Sequence, residues 1–265
     1  MRPASVLGVM ALAIGSAPAA PIASAQTWEM VYHAYVAGMT AVELKATARF
    51  DARGYEIAVQ ANTVGLTRLF ADSRHHNRAQ GNWNGSGLEP VHYRVDGSWK
   101  GSPRRVTIEY KGGEPMVREL EPGEEWRERI PEADRRGTVD PVSVLALLSQ
   151  MVARTNGCDG QARIFDGRKL EISSVRTGGW EQIARSHDLA YAGVALRCDF
   201  ELRQIKGFFP RLPPAERARQ AQPRVGTIWM ADPAGSGVRL PVMVRIEIGW
   251  LGHATAYMTA IRRVE

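Results

Sequence analysis

The chain has 265 residues, with 34 Lys and Arg against 28 Asp and Glu and a formal net charge of +6. Its basic residues are scattered, the longest runs being Arg104-Arg105, Arg135-Arg136 and Arg262-Arg263, whereas nucleic-acid binding needs a clustered basic face, so no nucleic-acid partner is expected. The two cysteines are too few soft ligands for a metal site and lack the C-x-x-C spacing of a catalytic dithiol; no cofactor is expected either, and the length fits one large β domain or two small ones.

The first element in chain order is a removable export signal. Arg2 supplies the charge, an apolar run from Val6 to Ile14 comes next, and small residues lead to Ala23-Ser24-Ala25, an A-x-A cleavage pattern. That run is too short for the about 20 helical residues that cross a bilayer, and no Cys stands after it to carry a lipid anchor. Cleavage after Ala25 would remove residues 1–25 and leave 26–265, which is 265 − 25 = 240 residues with a charge of +6 − 1 = +5. No later stretch is apolar and long enough for a transmembrane helix, so the expected location is the periplasm.

A period of two dominates the rest of the chain. In VELKATARF, Val42, Leu44, Ala46, Ala48 and Phe50 share one face while Glu43, Lys45, Thr47 and Arg49 share the other. After the turn Ala52-Arg53-Gly54, Tyr55, Ile57 and Val59 alternate in the same way, as do Val242, Val244, Ile246 and Ile248 near the end. Such alternation marks antiparallel strands with one buried face. Asn84-Gly85, Asp96-Gly97, Gly112-Gly113 and Asp232-Pro233 supply turn signals between runs. About a dozen strands are predicted, joined mainly as hairpins.

Residues 119–137, charged and interrupted by Pro122 and Pro131, read as a surface crossing with Trp126 as an anchor and Glu121, Glu124 and Glu125 solvated. TVDPVSVLALLSQMVAR then departs from the strand pattern. Asp140 suits an N-cap and Pro141 the N1 position; Val144, Leu145, Leu147, Leu148 and Met151 form an apolar stripe at helical spacing, with Arg154 in the last turn and Gly157 beyond it. The stripe reads as core that covers the open face of a curved sheet. A Pro-rich basic stretch, 207–224, reads as a long solvated loop.

Cys158 and Cys198 are predicted to form a disulfide, because an isolated pair in an oxidising compartment usually does. The bridge closes a loop of about 40 residues, worth roughly 4 kcal/mol in the chain-entropy view. Between them, Asp166-Gly167 in IFDGRKLEISSV could be an exposed nucleophile or metal ligand, or the corner of a hairpin. The flanking runs ARIF and RKLEISSV favour a two-residue type I′ corner, with Cys158 pinning the start of the hairpin to the strand of Cys198.

Other chemistry is sparse. His75 and His76 are adjacent, so on a strand they leave opposite faces, and His33, His92, His187 and His253 are isolated. There is no H-E-x-x-H and no G-x-S-x-G. No catalytic, cofactor-binding or metal-ligating residue is assigned, and a non-catalytic protein is expected. A hydrolase whose Ser, His and Asp assemble across strands is the alternative, since such sets are recognised by geometry and not spacing.

The order AYVAGMTAVELKATARF, YEIAVQANTVGLTRLFADSRHHNRAQG, LEPVHYRV, TVDPVSVLALL, C…IFDGRKLEISSV and CDFELRQIKGF resembles the exported bacterial family catalogued as domain of unknown function 3108, over nearly the whole of 26–265. Asp140-Pro141, Phe165-Asp166-Gly167-Arg168 and the paired cysteines carry the resemblance most specifically. In QIKGF, Lys206 and Phe208 stand where a small residue and a polar ring are expected. The resemblance implies an exported β protein and no catalytic residues.

The fold expected is all-β and mainly antiparallel: a strongly curved sheet or open barrel with one helix on its concave side, similar in architecture to periplasmic lipoprotein carriers. A closed up-and-down barrel with the helix outside is the alternative. The function expected is sheltering an apolar small molecule or lipid between sheet and helix. The rival is an envelope module with a filled core that contacts other envelope proteins.

Overall fold

A computed structural model describes residues 25–85, 87–123, 127–186, 189–249 and 252–264. Apart from Ala25, the signal at 1–25 lies outside the described residues, as do Glu124, Glu125, Trp126 and His187. The first half of the chain forms β1 (Gln26–Val36), β2 (Met39–Phe50), β3 (Gly54–Thr63), a 3-10 turn (Gly65–Thr67) running into α1 (Arg68–Ala71), β4 (Ser73–Asn84), β5 (Gly87–Trp99), β6 (Ser102–Lys111) and β7 (Glu114–Glu121). Then come α2 (Glu132–Arg135), α3 (Ser143–Thr155), β8 (Gly160–Phe165), β9 (Leu170–Ile183), β10 (Gly193–Lys206), α4 (Pro214–Gln220), β11 (Arg224–Ala231), β12 (Leu240–Glu247) and β13 (His253–Val264).

All thirteen strands belong to one antiparallel sheet in the order β7-β6-β5-β4-β3-β2-β1-β13-β12-β11-β10-β9-β8. Each strand lies beside its neighbour in sequence, and β1 beside β13. The meander would be a ring but for the break between β7 and β8, where the chain leaves to form α2 and α3. The sheet is therefore open, and the closed-barrel alternative is corrected. Unpaired strand edges invite association, and the outer edge of β8 is partly covered: Val139 donates to the Arg163 carbonyl and accepts from the Phe165 N–H, both at 2.9 Å.

The inward faces of the strands make the main core, from Trp28, Met30, Phe50, Tyr55 and Ile57 to Tyr93, Ile108, Phe165 and Leu170. Alternation is the reason: a side chain every second residue leaves the same face of the pleat. The helix α3 packs against that face. Its Ala146 joins the main cluster, and Leu148 and Val152 join a second one with Leu196 and Cys198 of β10 and Ile228 and Met230 of β11. It also approaches β3, β4 and β5. Strands β5 and β10 stand eight places apart in the sheet, a span of about 38 Å if flat at 4.8 Å per strand. One 13-residue helix, about 20 Å long, meets both only because the sheet bends.

Each end of α3 is fixed by a different device. The Asp140 carboxylate accepts from the Val142 N–H at 2.9 Å and the Ser143 N–H at 2.8 Å, so it caps the helix although the regular α-helix begins at Ser143. At the other end Asn156, not Gly157, takes the left-handed conformation (φ 53°) and donates to the Val152 carbonyl, a role Asn tolerates. Beyond it Cys158 pairs with Cys198, the Cα atoms 6.0 Å apart. Strand β9 of the Asp166-Gly167 hairpin pairs with β10, so the cysteine pair pins the start of the hairpin to the strand of Cys198, as expected. It also ties the end of the helix down onto β10.

Three other local expectations are corrected. Asp96-Gly97 is not a turn but mid-β5, where a Cβ on Gly97 would come within 2.1 Å of the Arg74 carbonyl oxygen on β4. The dipeptide serves close strand approach there. The 119–137 crossing begins later, since Glu119 to Glu121 belong to β7, and it buries Ile130. The 207–224 stretch contains α4 and buries Phe208, over whose ring the Arg217 guanidinium lies at 4.6 Å.

The Asp166-Gly167 hairpin is real but its turn spans 166–169. Only Gly167 has positive φ, 91°, whereas a type I′ corner needs it at both central residues. Asp166 stands at the edge of the turn, its carboxylate accepting from the Arg168 and Lys169 N–H groups at 2.8 Å each. Nor is it exposed. The hairpin tip folds onto the inner face of β6 and β7: a Cβ on Gly167 would meet Val106 at 2.8 Å, and Arg168 donates to the Glu121 carbonyl at 2.7 Å and the Pro122 carbonyl at 3.0 Å. Burial pushes the Asp166 carboxyl above the usual carboxylate range, against Lys169 and the turn's two N–H groups.

Candidate functional site

Between α3 and the β12-β13-β1-β2-β3 part of the sheet lies a cavity of about 350 Å³. Its walls come from inward positions: Met30, Tyr32 and Ala34 on β1; Val42, Leu44, Ala46, Ala48 and Phe50 on β2; Ile57 and Val59 on β3; Val244 and Ile246 on β12; Ala254 and Ala256 on β13. Leu145 and Ser149 of α3 form the roof. The face Val42 to Phe50, expected to be buried, is thus one wall of a hollow. The space exists because several inward side chains are methyl groups. Ala34 stands between Val42 and Ala256, and Ala254 between Val36 and Ile246, so each of those rows has a methyl group at its centre.

The hydroxyl groups in the wall are already engaged. The Tyr32 hydroxyl donates to the Pro241 carbonyl at 2.9 Å, and burial raises its pKa well above that of a free phenol. The Ser149 hydroxyl donates to the Arg239 carbonyl. Arg239 leaves its Nε buried without a partner, and its guanidinium packs 5.8 Å from the Trp180 ring.

Burial along the walls shows which end is open. On β2, Phe50 and Ala48 are buried while Leu44 and Val42 are half-buried; on β12, Val242 is buried, Val244 half-buried and Ile246 exposed. The mouth therefore lies at the rim formed by the β1–β2, β3–β4 and β12–β13 connections. The 3-10 turn and α1 sit on this rim, held by the Val64 N–H and the Thr67 hydroxyl, both donating to the Ala41 carbonyl at 3.0 Å. They present Leu66, Leu69 and Phe70 to solvent at 66%, 78% and 75% exposure. Met39 beside them is 50% exposed.

A second hollow, of about 600 Å³, adjoins the first across β3. Val59 lines the apolar cavity, and Ala61, two residues on and on the same face, lines its neighbour. This one is the more polar of the two: His75, Asn77, Tyr93, Arg104, Asp166 and Arg168 face it, alongside Val95, Trp99 and Val106. Beneath it the Tyr55 hydroxyl donates to Ser143 Oγ at 2.6 Å, and Ser143 donates to Asp140. Burial pushes the Asp140 carboxyl up to about 6, its hydrogen bonds to Ser143 and Val142 opposing. Burial also raises the nearby Tyr93 and Tyr110 phenols.

His75 and His76 leave opposite faces of β4, as expected: only His75 lines the polar hollow, while His76 lies beside Arg78. Burial and the Arg104 guanidinium both lower the His75 pKa, burial the more. Among the described residues no group of three His, Cys, Asp or Glu side chains could hold a metal ion, and no helix is long and apolar enough to cross a membrane. Sequence reasoning put Ala46 and Ala48 on the inward face but missed Ala34, Ala254 and Ala256 and the inward place of Arg104. The signal for the alanines was present: small residues recurring at inward positions of β1, β2 and β13.

An open up-and-down antiparallel sheet with a helix packed on its inward-facing side chains and a hollow beneath that helix defines a barrel-like class of protein. Within it, the chain belongs to the family described as protein of unknown function (DUF3108), whose match covers residues 28–259. The fold is similar to the crystal structure of a beta-barrel-like protein of domain of unknown function DUF1849 from Brucella abortus. The two share 8% identity at a TM-score of 0.51, over 91% of this chain and 98% of that one. No curated protein matches the chain in sequence.

Proposed function

We propose that this is an exported, non-catalytic binding protein that shelters an apolar ligand, an acyl chain, in the cavity between α3 and the sheet. The observation that carries the reading is the cavity itself. Its size falls at the lower end of the about 300–1,000 Å³ typical of small-molecule sites, and its wall is aliphatic and aromatic with its hydroxyls engaged. Apolar cavities stay dry and take apolar guests, because water inside would find too few polar partners. The exposed Leu66, Leu69 and Phe70 beside the mouth support the reading: contiguous apolar surface is uncommon on a free-standing protein and marks contact sites. The cysteine pair at disulfide distance supports export into an oxidising compartment.

Binding of a fluorescent fatty acid to residues 26–265, which hold every described helix and strand, tests the proposal. Ala46→Phe and Ala256→Phe place a ring inside the hollow. The reading expects saturable binding by the unaltered protein and its loss in both variants, with melting temperatures close to the parent's. Absence of binding, or equal binding by the filled variants, would overturn it.

A further inference from the structure

The polar hollow beside the apolar cavity holds a cation that no described residue pairs. Arg104 occupies an inward position of β6, in line with Val106 and Ile108, which are buried. It is half-buried and, among the described residues, makes no hydrogen bond or ion pair. Neighbouring arginines are engaged: Arg105 with Glu121 at 2.5 Å and Arg94 with Asp96 at 3.5 Å. An inward guanidinium that forgoes both full hydration and a carboxylate is costly unless something meets it.

The other groups facing this hollow make it receptive to negative charge. Arg168, held by its hydrogen bonds to two backbone carbonyls, brings a second guanidinium to the wall. Asn77 and His75 add neutral donors, His75 being held toward its uncharged form by burial and by Arg104 itself. Asp166, the one acidic wall group among the described residues, is occupied by its own turn and by Lys169. Guanidinium groups suit carboxylate and phosphate because their N–H fork matches two oxygens at once.

The geometry points to a single amphiphile bridging the two hollows, its acyl chain under α3 and an anionic head group, carboxylate or phosphate, on Arg104. Val59 and Ala61, two residues apart on the same face of β3, are the threshold between them, and both side chains are small and apolar. This assignment rests on the apolar-ligand reading for the tail and on Arg104 for the head. It makes the protein selective for charged single-chain lipids over neutral ones.

The test compares dodecyl phosphate, dodecanol and inorganic phosphate on residues 26–265 and on Arg104→Gln, by calorimetry. A charge-assisted pair contributes about 1.5–3 kcal/mol, so dodecyl phosphate should bind about 10- to 100-fold more tightly than dodecanol. Arg104→Gln should remove that advantage and leave dodecanol unchanged, and inorganic phosphate should bind far more weakly than either tailed ligand. Equal affinity for dodecyl phosphate and dodecanol would overturn the head-group assignment while leaving the cavity reading standing. No binding of either would overturn both. Inorganic phosphate binding as tightly as dodecyl phosphate would replace the amphiphile by a free anion. A charge preference lost in Arg239→Gln but kept in Arg104→Gln would overturn the choice of Arg104 in favour of the other incompletely paired arginine at the cavity.

Discussion

The two flanks of α3 solve the same packing problem differently. On the β3–β6 flank the inward positions carry Tyr55, Tyr93, Tyr110 and Ile108, and the β8–β9 hairpin tip folds over them, so the space beneath the helix start is packed and the hollow left beside it has polar groups in its wall. On the β1–β2–β13 flank the inward positions carry Ala34, Ala46, Ala48, Ala254 and Ala256, and the β11–β12 connection reaches the hollow only at Arg239 among the described residues. Both flanks obey the same alternation in the same sheet. The volume of the inward side chains and the fold-over of the hairpin tip set what each flank leaves open. The β3–β6 flank also holds buried polar groups, several of them answered by hydrogen bonds around Asp140 and Asp166, although the Tyr110 hydroxyl is buried without a partner among the described residues. A rigid, anchored helix roofing an unfilled apolar space is what a binding site requires.

If α3 is a fixed roof, its anchors should matter most. Cys198→Ser releases the helix end from β10; with the cysteines 40 positions apart in sequence, the chain-entropy value is about 4 kcal/mol. Chemical denaturation should show a loss of that order, and labelling of the unreduced, unfolded parent should find no free thiol. At the opposite end, Asp140→Ala removes both cap acceptors and strands the Ser143 hydroxyl, for a loss of about 2 kcal/mol.

Asp140→Asn sharpens that second anchor through pH. The folded carboxyl titrates at about 6 against an ordinary value of 3.8, so the folded state holds the proton more tightly. The stability this gives is full below pH 3.8 and is lost as pH rises through about 6. Relative to Asp140→Asn, which keeps a carbonyl acceptor and does not titrate, the parent should be most favoured at low pH and lose ground up to about pH 7. Urea titrations of the pair at several pH values measure the difference; a constant difference would show that Asp140 is not desolvated as described.

Gly167→Ala probes the packed flank. The positive φ and the 2.8 Å approach to Val106 should together cost about 2 kcal/mol. Ala46→Leu on the hollow flank should change stability least, by less than about 1 kcal/mol in either direction, since the added carbons enter empty space. A loss as large as that of Gly167→Ala would mean the hollow is not there.

Much of the fold was legible because alternation and turn dipeptides are local. VELKATARF and YEIAVQA became adjacent strands with the expected faces, and Asp140 caps the helix. What was not legible depends on partners distant in sequence. Asp96-Gly97 has the composition of a turn, but Gly97 is set by a β4 backbone that leaves no room for a Cβ. Asp166 looked exposed because the fold-back of its hairpin onto β6 leaves no mark within IFDGRK. The cavity needed register: inward alanines on β1, β2 and β13 coincide only once the strands are aligned, and the standing of Arg104 depends on which described side chains surround it.

Native mass spectrometry of the protein purified from its own cells, followed by extraction of whatever it carries, tests the central claim most directly. A fraction of the protein bearing the mass of an acyl-chain compound, released on denaturation and absent from Ala46→Phe, is the result expected from a ligand-holding cavity. A protein that always flies at its bare polypeptide mass, and takes up no added fatty acid, would contradict it and leave the hollow as an unfilled gap in the core.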